Sequence, residues 1–220
     1  MNKLVVIARY QENLNWVNGL EHSILIYNKG NDFPYNFPKI DVPNKGREPE
    51  TYLRAIIENY HSLKDFSHIA FVQGNPFDHF NENINDKISS FNDTDKVDFI
   101  CNSYGYMEYG QILHINNFSL EMIKTFLSGS YSNETGAMKC VFLLNFLGIH
   151  NPSVYRSFSC GAQYIVPVNF ILNKSLEWWK NAYRIYDMYI NFNSGDPALL
   201  FEIIWTVIWS FEEKKVDTIP

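Results

Sequence analysis

The segment from residue 66 to residue 79 constrains the fold of this chain more than any other. Residues 69–72 form a short apolar run, and the run stops at the turn-forming residues Gly74, Asn75 and Pro76. A run of this length between turn formers predicts a strand that is buried on both faces, as in the parallel sheets of α/β proteins. The segment therefore predicts a central strand with a loop at its carboxyl end.

A carboxylate and an imidazole follow this strand at once, at Asp78 and His79. In open α/β sheets ligands bind just beyond the carboxyl ends of the strands, so the pair is a candidate for binding a metal or a substrate. An alternative makes Asp78 the N-cap of a helix over residues 80–90, because aspartate is favoured at that position. The local sequence leaves both interpretations open.

The rest of the chain alternates strand patterns with helix patterns. A Pro- and Asn-rich stretch at residues 31–44 predicts a long surface loop. The alternation predicts an α/β fold with a mostly parallel central sheet flanked by helices, in a single domain over residues 1–220. Further strands are predicted at residues 3–8, 22–27 and 97–103, and helices near residue 14 and at residues 49–61, 80–90, 119–127, 137–147, 175–190 and 197–211.

The composition excludes several classes of function. The chain has 220 residues, of which 46% are hydrophobic and 16% aromatic, so it has the material for a core. A net charge of -6 without a run of Lys or Arg argues against a nucleic-acid partner. The three cysteines lack zinc or disulfide spacing, and no apolar stretch has the length of a membrane span or a signal sequence. We therefore expect a cytoplasmic protein without a membrane span.

Two more segments carry candidate binding residues. Arg47 lies just ahead of the predicted helix at residue 49, where backbone N–H groups favour an anion such as phosphate; pairing with a surface carboxylate is the alternative. Gly161 and Ala162 precede a short apolar strand, so the backbone there can closely approach either a ligand or another segment of the chain. The glycine-rich dinucleotide and P-loop fingerprints and the G-x-S-x-G turn of hydrolases are absent.

Five segments together resemble a known group of proteins: VVIARYQENLNW (residues 5–16), IYNKG (26–30), GREPETYL (46–53), FVQGNPFDH (71–79) and GAQYIV (161–166). They are similar to an uncharacterised fungal, bacterial and large-virus family related to GT-A nucleotide-sugar glycosyltransferases, among them a small algal-virus glycosyltransferase domain. The resemblance implies a GT-A fold and a metal-dependent glycosyltransferase of the hexosyltransferase type. A uridine diphosphate (UDP) sugar is the expected donor, a glycan or glycoprotein the acceptor, and Mn²⁺ or Mg²⁺ the cofactor. For a viral member the host cytoplasm is the expected location.

The resemblance also implies roles for individual residues. The residues after the first strand would line the nucleotide-sugar site, and two basic residues would lie near the base or the phosphates. At the glycine-alanine pair the backbone would closely approach the ligand. By position these residues are Ala8, Arg9, Tyr10, Glu12, Lys29, Arg47, Gly161 and Ala162.

Asp78 would stand at the carboxylate motif that binds the metal. The usual Asp-x-Asp is replaced by Phe77-Asp78-His79, so either His79 assists or the metal is held by one carboxylate, phosphates and water. An inverting transferase also needs a base for the acceptor hydroxyl, and Asp196 and Glu202 are the candidates. Glu202 falls in an otherwise apolar helix, where a carboxylate is costly unless it has a partner.

Two other functions remain open. The first is a catalytically inactive GT-A-like domain that binds a glycan or a protein, which the missing second aspartate favours. The second is a metal-dependent hydrolase built on Asp78 and His79; it is weaker, because no second histidine or carboxylate stands nearby at a ligand spacing.

Overall fold

The computed structural model describes residues 2–32, 34, 36–108, 133–150, 155–192 and 197–213. The predicted helix at residues 119–127 and the candidate base Asp196 lie outside these residues. Within the described part, no helix has both the length and the hydrophobicity needed to cross a lipid bilayer.

A six-stranded sheet forms the centre of the fold, in the order β3-β2-β1-β4-β8-β5. The strands β1, β2, β3 and β4 run parallel, and β8 runs antiparallel to both β4 and β5. A separate antiparallel pair consists of β6 and β7. The strands are β1 (Lys3–Arg9), β2 (Ser23–Asn28), β3 (Lys39–Asp41), β4 (His68–Gln73), β5 (Asp98–Phe99), β6 (Tyr104–Glu108), β7 (Tyr155–Ser159) and β8 (Tyr164–Pro167).

Helices flank this sheet, which confirms the α/β prediction and the mostly parallel sheet. In the described residues the α-helices are α1 (Arg47–Asn59), α2 (Ile84–Ser90), α3 (Asn133–Phe146), α4 (Val168–Leu172), α5 (Leu176–Phe192) and α6 (Pro197–Ser210).

Burial on both faces explains the unbroken apolar runs of the central strands. Along β1, Leu4 and Val6 point into one hydrophobic layer, and Val5 and Ile7 point into the other. Successive side chains of a strand alternate between faces, so a strand covered on both sides must be apolar at every position. The layer that contains Leu4 and Val6 also packs against α1, α5 and α6.

The predicted aromatic helices supply the largest buried side chains of the core. On α6 the rings of Trp205 and Trp209 stack with centroids 4.6 Å apart, and Trp209 also stacks on Phe71 of β4 at 5.5 Å. All three rings are fully buried. These aromatic residues are therefore core residues, as their helical spacing predicts.

The structure differs from the prediction in several places, and the strand predicted at residues 97–103 is only the two-residue β5, Asp98–Phe99. The stretch predicted as a loop contains β3, whose three residues pair with the exposed edge of β2. The predicted helix near residue 14 is a 3₁₀ turn, Asn15–Gly19. The helix predicted from residue 80 begins at Ile84, because the side chain of Asn83 accepts hydrogen bonds from the backbone N–H groups of Asn85 and Asp86 and so caps it there.

A buried lysine makes the stability of this fold depend on pH. Lys174 is completely buried; its Nζ lies 5.9 Å from the ring centre of Trp178 and 5.7 Å from that of Trp179, and it donates to Phe170 O at 2.8 Å. Burial lowers the pKa of Lys174 to about 7, whereas the unfolded chain keeps a value near 10.5. Between these two values the unfolded chain binds more protons, so the free energy of unfolding should rise with pH.

We expect the free energy of unfolding to increase from pH 7 to pH 9.5 in the wild type, and the increase to be smaller in Lys174→Met. Below pH 7 the lysine is charged in both states, so its contribution should no longer change with pH. Urea unfolding at intervals of half a pH unit measures this difference. Parallel pH profiles for the two proteins would show that Lys174 stays charged in the folded protein.

Candidate functional site

A polar cleft of about 590 Å³ opens at the carboxyl edge of the parallel strands. Its lining residues come from the segments at the ends of β1, β2 and β4, from the loop before α1 and its first turn, and from one residue of α6. A cleft of this size is typical of small-molecule sites, and the carboxyl edge is where α/β sheets bind ligands. Its lining residues are Ala8, Arg9, Tyr10, Glu12, Lys29, Asn44, Arg47, Glu48, Gln73, Asn75, Asp78, His79 and Glu202.

Most of the candidate residues from the sequence meet in this cleft. Gly161 and Ala162 do not line it; they lie behind it. Asp196 lies outside the described residues. The candidates that line the cleft are Ala8, Arg9, Tyr10, Glu12, Lys29, Arg47, Asp78, His79 and Glu202.

Arg9, at the end of β1, holds two loops of the cleft together. Its guanidinium is buried and donates to Glu12 O at 3.0 Å, to Asn28 Oδ1 at 2.5 Å and to Asn31 O at 2.8 Å. The loops after β1 and β2 are thereby joined through one side chain. Arg9 thus stabilises the shape of the cleft by binding protein oxygens. From the sequence alone, an arginine at this position could equally bind phosphate.

The same two loops also touch through their backbones. Lys29 N donates to Arg9 O at 2.8 Å, and a Cβ on Gly30 would lie only 1.4 Å from Tyr10 O. A side chain at residue 30 would therefore push the loops apart. The adjacent Tyr10 side chain is half exposed at the cleft, where its ring is available for stacking.

Lys29 is a second cation whose donors are used inside the protein. Its Nζ donates to Lys45 O at 2.6 Å and to Arg47 O at 2.5 Å, and it pairs with Glu50 Oε2 at 2.8 Å. Two of the three N–H donors of the ammonium are thus bound to the loop, and its charge is paired with Glu50. Burial lowers the pKa of Lys29, and the carboxylate of Glu50 opposes this. Lys29 thus lines the cleft, but its ammonium group binds and stabilises the loop at residues 45–47.

That loop presents Arg47 at the beginning of α1. Gly46 and Arg47 both have positive φ, 64° and 45°, and Tyr186 donates to Gly46 O at 2.7 Å. A non-glycine residue with positive φ carries backbone strain, and such strain persists only where the surroundings impose it. Contacts from Lys29 and Tyr186 impose it here. Arg47 is exposed at the cleft, beside the N-terminal end of a 13-residue helix.

Asp78 belongs to a short 3₁₀ turn, Pro76–Asp78, directly after β4. It is exposed, and its Oδ1 accepts from Asn75 Nδ2 at 2.7 Å. The alternative interpretation of Asp78 as a helix N-cap is wrong, because Asn83 caps the following helix. The carboxylate of Asp78 is thus presented to the cleft.

His79 packs against the segment that carries Gly161. A Cβ on Gly161 would lie 2.3 Å from Cδ2 of the His79 ring, and Gly161 has a φ of 90°. Only glycine satisfies both conditions without strain. The small residue at position 161 therefore makes room for the imidazole of His79. Of the two alternatives that the sequence left open, a ligand or another segment of the chain, the structure shows the second.

Glu202 lines the cleft from α6. Its charge acts on Tyr52 of α1, whose buried hydroxyl has no hydrogen-bond partner among the described residues. Burial raises the pKa of Tyr52 well above its ordinary value, and the charges of Glu48 and Glu202 add to this effect. The charges of two cleft carboxylates therefore raise the pKa of the same buried hydroxyl.

Four lining residues were not among the candidates from the sequence: Asn44, Glu48, Gln73 and Asn75. Gln73 and Asn75 belong to the same strand-to-turn segment as Asp78, so their position at the carboxyl end of β4 was a usable signal. Glu48 lies in the first turn of α1, where acidic residues are common for reasons of helix stability alone, so its residue type gave no signal of a site.

The donor set at the turn fits a divalent cation only in part. No group of three or more His, Cys, Asp or Glu side chains that could hold a metal occurs in the described part of the chain. Asp78 offers a carboxylate, with Asn75 and His79 beside it on the same turn. Mg²⁺ at phosphate sites is bound by one or two carboxylates plus phosphate and water oxygens. These residues therefore fit a cation that arrives with a diphosphate.

A family model described as "Protein of unknown function (DUF3431)" matches residues 4–218. Comparisons with curated proteins and with solved structures give no match.

Proposed function

We propose that this chain, which belongs to the DUF3431 family of proteins of unknown function, is a metal-dependent glycosyltransferase with a GT-A fold. Its donor is a nucleoside diphosphate sugar, with UDP as the expected nucleotide, and its acceptor is a hydroxyl of a glycan or glycoprotein. One observation carries the proposal. An exposed carboxylate turn after β4, an arginine at the start of α1 and a carboxylate of α6 line the same cleft at the carboxyl edge of the sheet.

The lining includes four carboxylates, and within it the part of the cleft around Arg47 is suited to a diphosphate. Arg47 supplies a guanidinium, which matches the bidentate geometry of phosphate oxygens, and the N-terminal end of α1 favours an anion beside it. Asp78 would hold the divalent cation together with the diphosphate. When bound, that cation acts as a Lewis acid on the leaving diphosphate.

The remaining residues have roles in orientation and proton transfer. The half-exposed ring of Tyr10 offers a stacking surface for the base. Glu202, which lines the same cleft, is the group that we assign as general base for the acceptor hydroxyl. A carboxylate in that role takes the proton as the hydroxyl oxygen attacks the anomeric carbon, and the diphosphate leaves.

A binding experiment tests this proposal. We expect UDP with Mn²⁺, at a hundred times its dissociation constant, to raise the melting temperature by about 5–10 °C. Asp78→Ala should remove the part of the shift that depends on Mn²⁺. The matched control is Asp86→Ala, an exposed aspartate of α2 that does not line the cleft, and it should keep the full shift. No shift with any of several nucleoside diphosphates would contradict the proposal.

A second candidate is a catalytically inactive domain of the same fold that binds a glycan or a protein. The observation that favours it is the single carboxylate at the turn, without a three-residue ligand group in the described residues. Hydrolysis of the sugar nucleotide without acceptor separates the two. Slow release of the sugar that requires Mn²⁺ supports the transferase, whereas glycan binding without metal and without turnover supports the inactive domain.

A further inference from the structure

A buried side-chain amide lies directly behind the turn that carries Asp78. Gln163, just before β8, is 0% exposed. Its Oε1 accepts from Gln73 N at 3.1 Å, and its Nε2 donates to Pro76 O and to Ile100 O, both at 3.3 Å. A buried amide is costly unless its polar atoms are paired. One side chain therefore ties together the end of β4, the start of the turn and the end of β5.

Further hydrogen bonds of the neighbouring residues hold both ends of the turn. His79 O accepts from Asn102 N at 2.8 Å, and Gln73 Nε2 donates to Gly161 O at 2.7 Å. The ring of His79 packs on the bare backbone of Gly161. The turn is thus fixed at both ends by the segments at residues 100–102 and 161–163.

The turn has little backbone support of its own, because the hydrogen bonds that close it, from His79 N at 3.3 Å and from Phe80 N at 3.1 Å, both end on Pro76 O. It is a single 3₁₀ turn of three residues, and Asp78 is exposed, with Asn75 as the hydrogen-bond partner of its carboxylate. Short 3₁₀ turns have poor hydrogen-bond geometry. A misplacement of about 1 Å at a reacting group costs about a hundredfold in rate.

We propose that Gln163 is a positioning residue that fixes the Asp78 turn for its ligand. The effect of Gln163 on ligand binding rests on the proposed function, because Asp78 has a ligand only if the cleft binds a metal and a diphosphate. The positioning itself is a property of the ligand-free protein. The two parts can therefore be measured separately.

Hydrogen exchange of the ligand-free protein tests the positioning. In Gln163→Met, a side chain of similar length without amide groups, we expect the Asn102 N–H to exchange at least tenfold faster, because its acceptor His79 O moves with the turn. The amides of β1 should keep their protection. The control is Asn83→Ala, which removes the cap of α2 but leaves the turn intact. Unchanged exchange at Asn102, or equal loosening of β1, would overturn the proposal.

Binding then tests the consequence for the ligand. We expect Gln163→Met to weaken UDP binding in the presence of Mn²⁺ by at least tenfold and to leave metal-free UDP binding within twofold. A purely structural role would weaken both equally, and that result would overturn the proposal. If the wild type binds no UDP under either condition, the proposed function fails, and the exchange at Asn102 still decides whether Gln163 positions the turn.

Discussion

Replacing Lys29 by methionine should lower the free energy of unfolding by about 3 kcal/mol. The side chains of Lys29 and Glu50 are 4% and 1% exposed, and their charges lie 2.8 Å apart. Removing the cation leaves a buried carboxylate whose remaining hydrogen-bond partners are Arg54 and Tyr183. Breaking one half of a buried ion pair costs far more than losing an exposed pair, because the remaining charge has already given up its water.

The same substitution should also weaken ligand binding. Lys45 O and Arg47 O both lose their donor, so the loop that presents Arg47 loses part of its support and keeps the bond from Tyr186 to Gly46 O. We expect the affinity for UDP to fall at least tenfold, although the lysine itself contacts only protein atoms. Urea unfolding and calorimetry measure the two effects.

Two further variants show whether the buried charge is the cause. The double variant Lys29→Met/Glu50→Gln should regain part of the stability, because no unpaired charge remains. The control Lys39→Met removes a surface pair with Asp32, whose side chain is 81% exposed, and should change stability by less than about 0.5 kcal/mol. Equal losses for Lys29→Met and Lys39→Met would refute a special role for the buried pair.

Glu202→Gln should lower kcat by about a hundredfold or more and leave the affinity for the donor within twofold. Glutamine keeps the shape and polarity of the side chain but cannot take a proton. A base acts on the acceptor hydroxyl in the transition state, so its loss should appear in turnover and not in donor binding. Initial rates with varied donor and fixed acceptor provide both quantities.

Glu48→Gln is the matched comparison, because Glu48 lines the same cleft and its charge, like that of Glu202, raises the pKa of Tyr52. We expect it to keep turnover within tenfold of the wild type. If Glu48→Gln abolishes turnover and Glu202→Gln does not, the assignment of the base to Glu202 is wrong and Glu48 takes its place.

The sheet was predictable from sequence because burial on both faces leaves a strong pattern. The runs at residues 3–8 and 69–72 became β1 and β4, which pair in parallel at the centre of the sheet. The position of the cleft followed from the same pattern, since polar residues directly after such strands must gather at the carboxyl edge. Edge strand β3, with three residues, was too short to leave a pattern.

The roles of the buried cations were not predictable. Arg9 and Lys29 have the residue types and positions of phosphate ligands, yet their donors bind carbonyls and side chains in loops distant in sequence. Such contacts depend on the packing of three loops and leave no local signal. The same holds for Gln163: it lies within the GAQYIV segment, but its side-chain contacts with Gln73, Pro76 and Ile100 appear only in three dimensions.

Under the proposed function, the cleft binds a nucleoside diphosphate through Arg47 and a metal at Asp78. A crystal structure with UDP and Mn²⁺ tests it most directly. We expect the diphosphate to lie between the Arg47 guanidinium and the turn at Pro76–Asp78, with the metal bound to an Asp78 oxygen. UDP bound elsewhere on the protein, or an empty cleft at a saturating concentration of both, would contradict the claim.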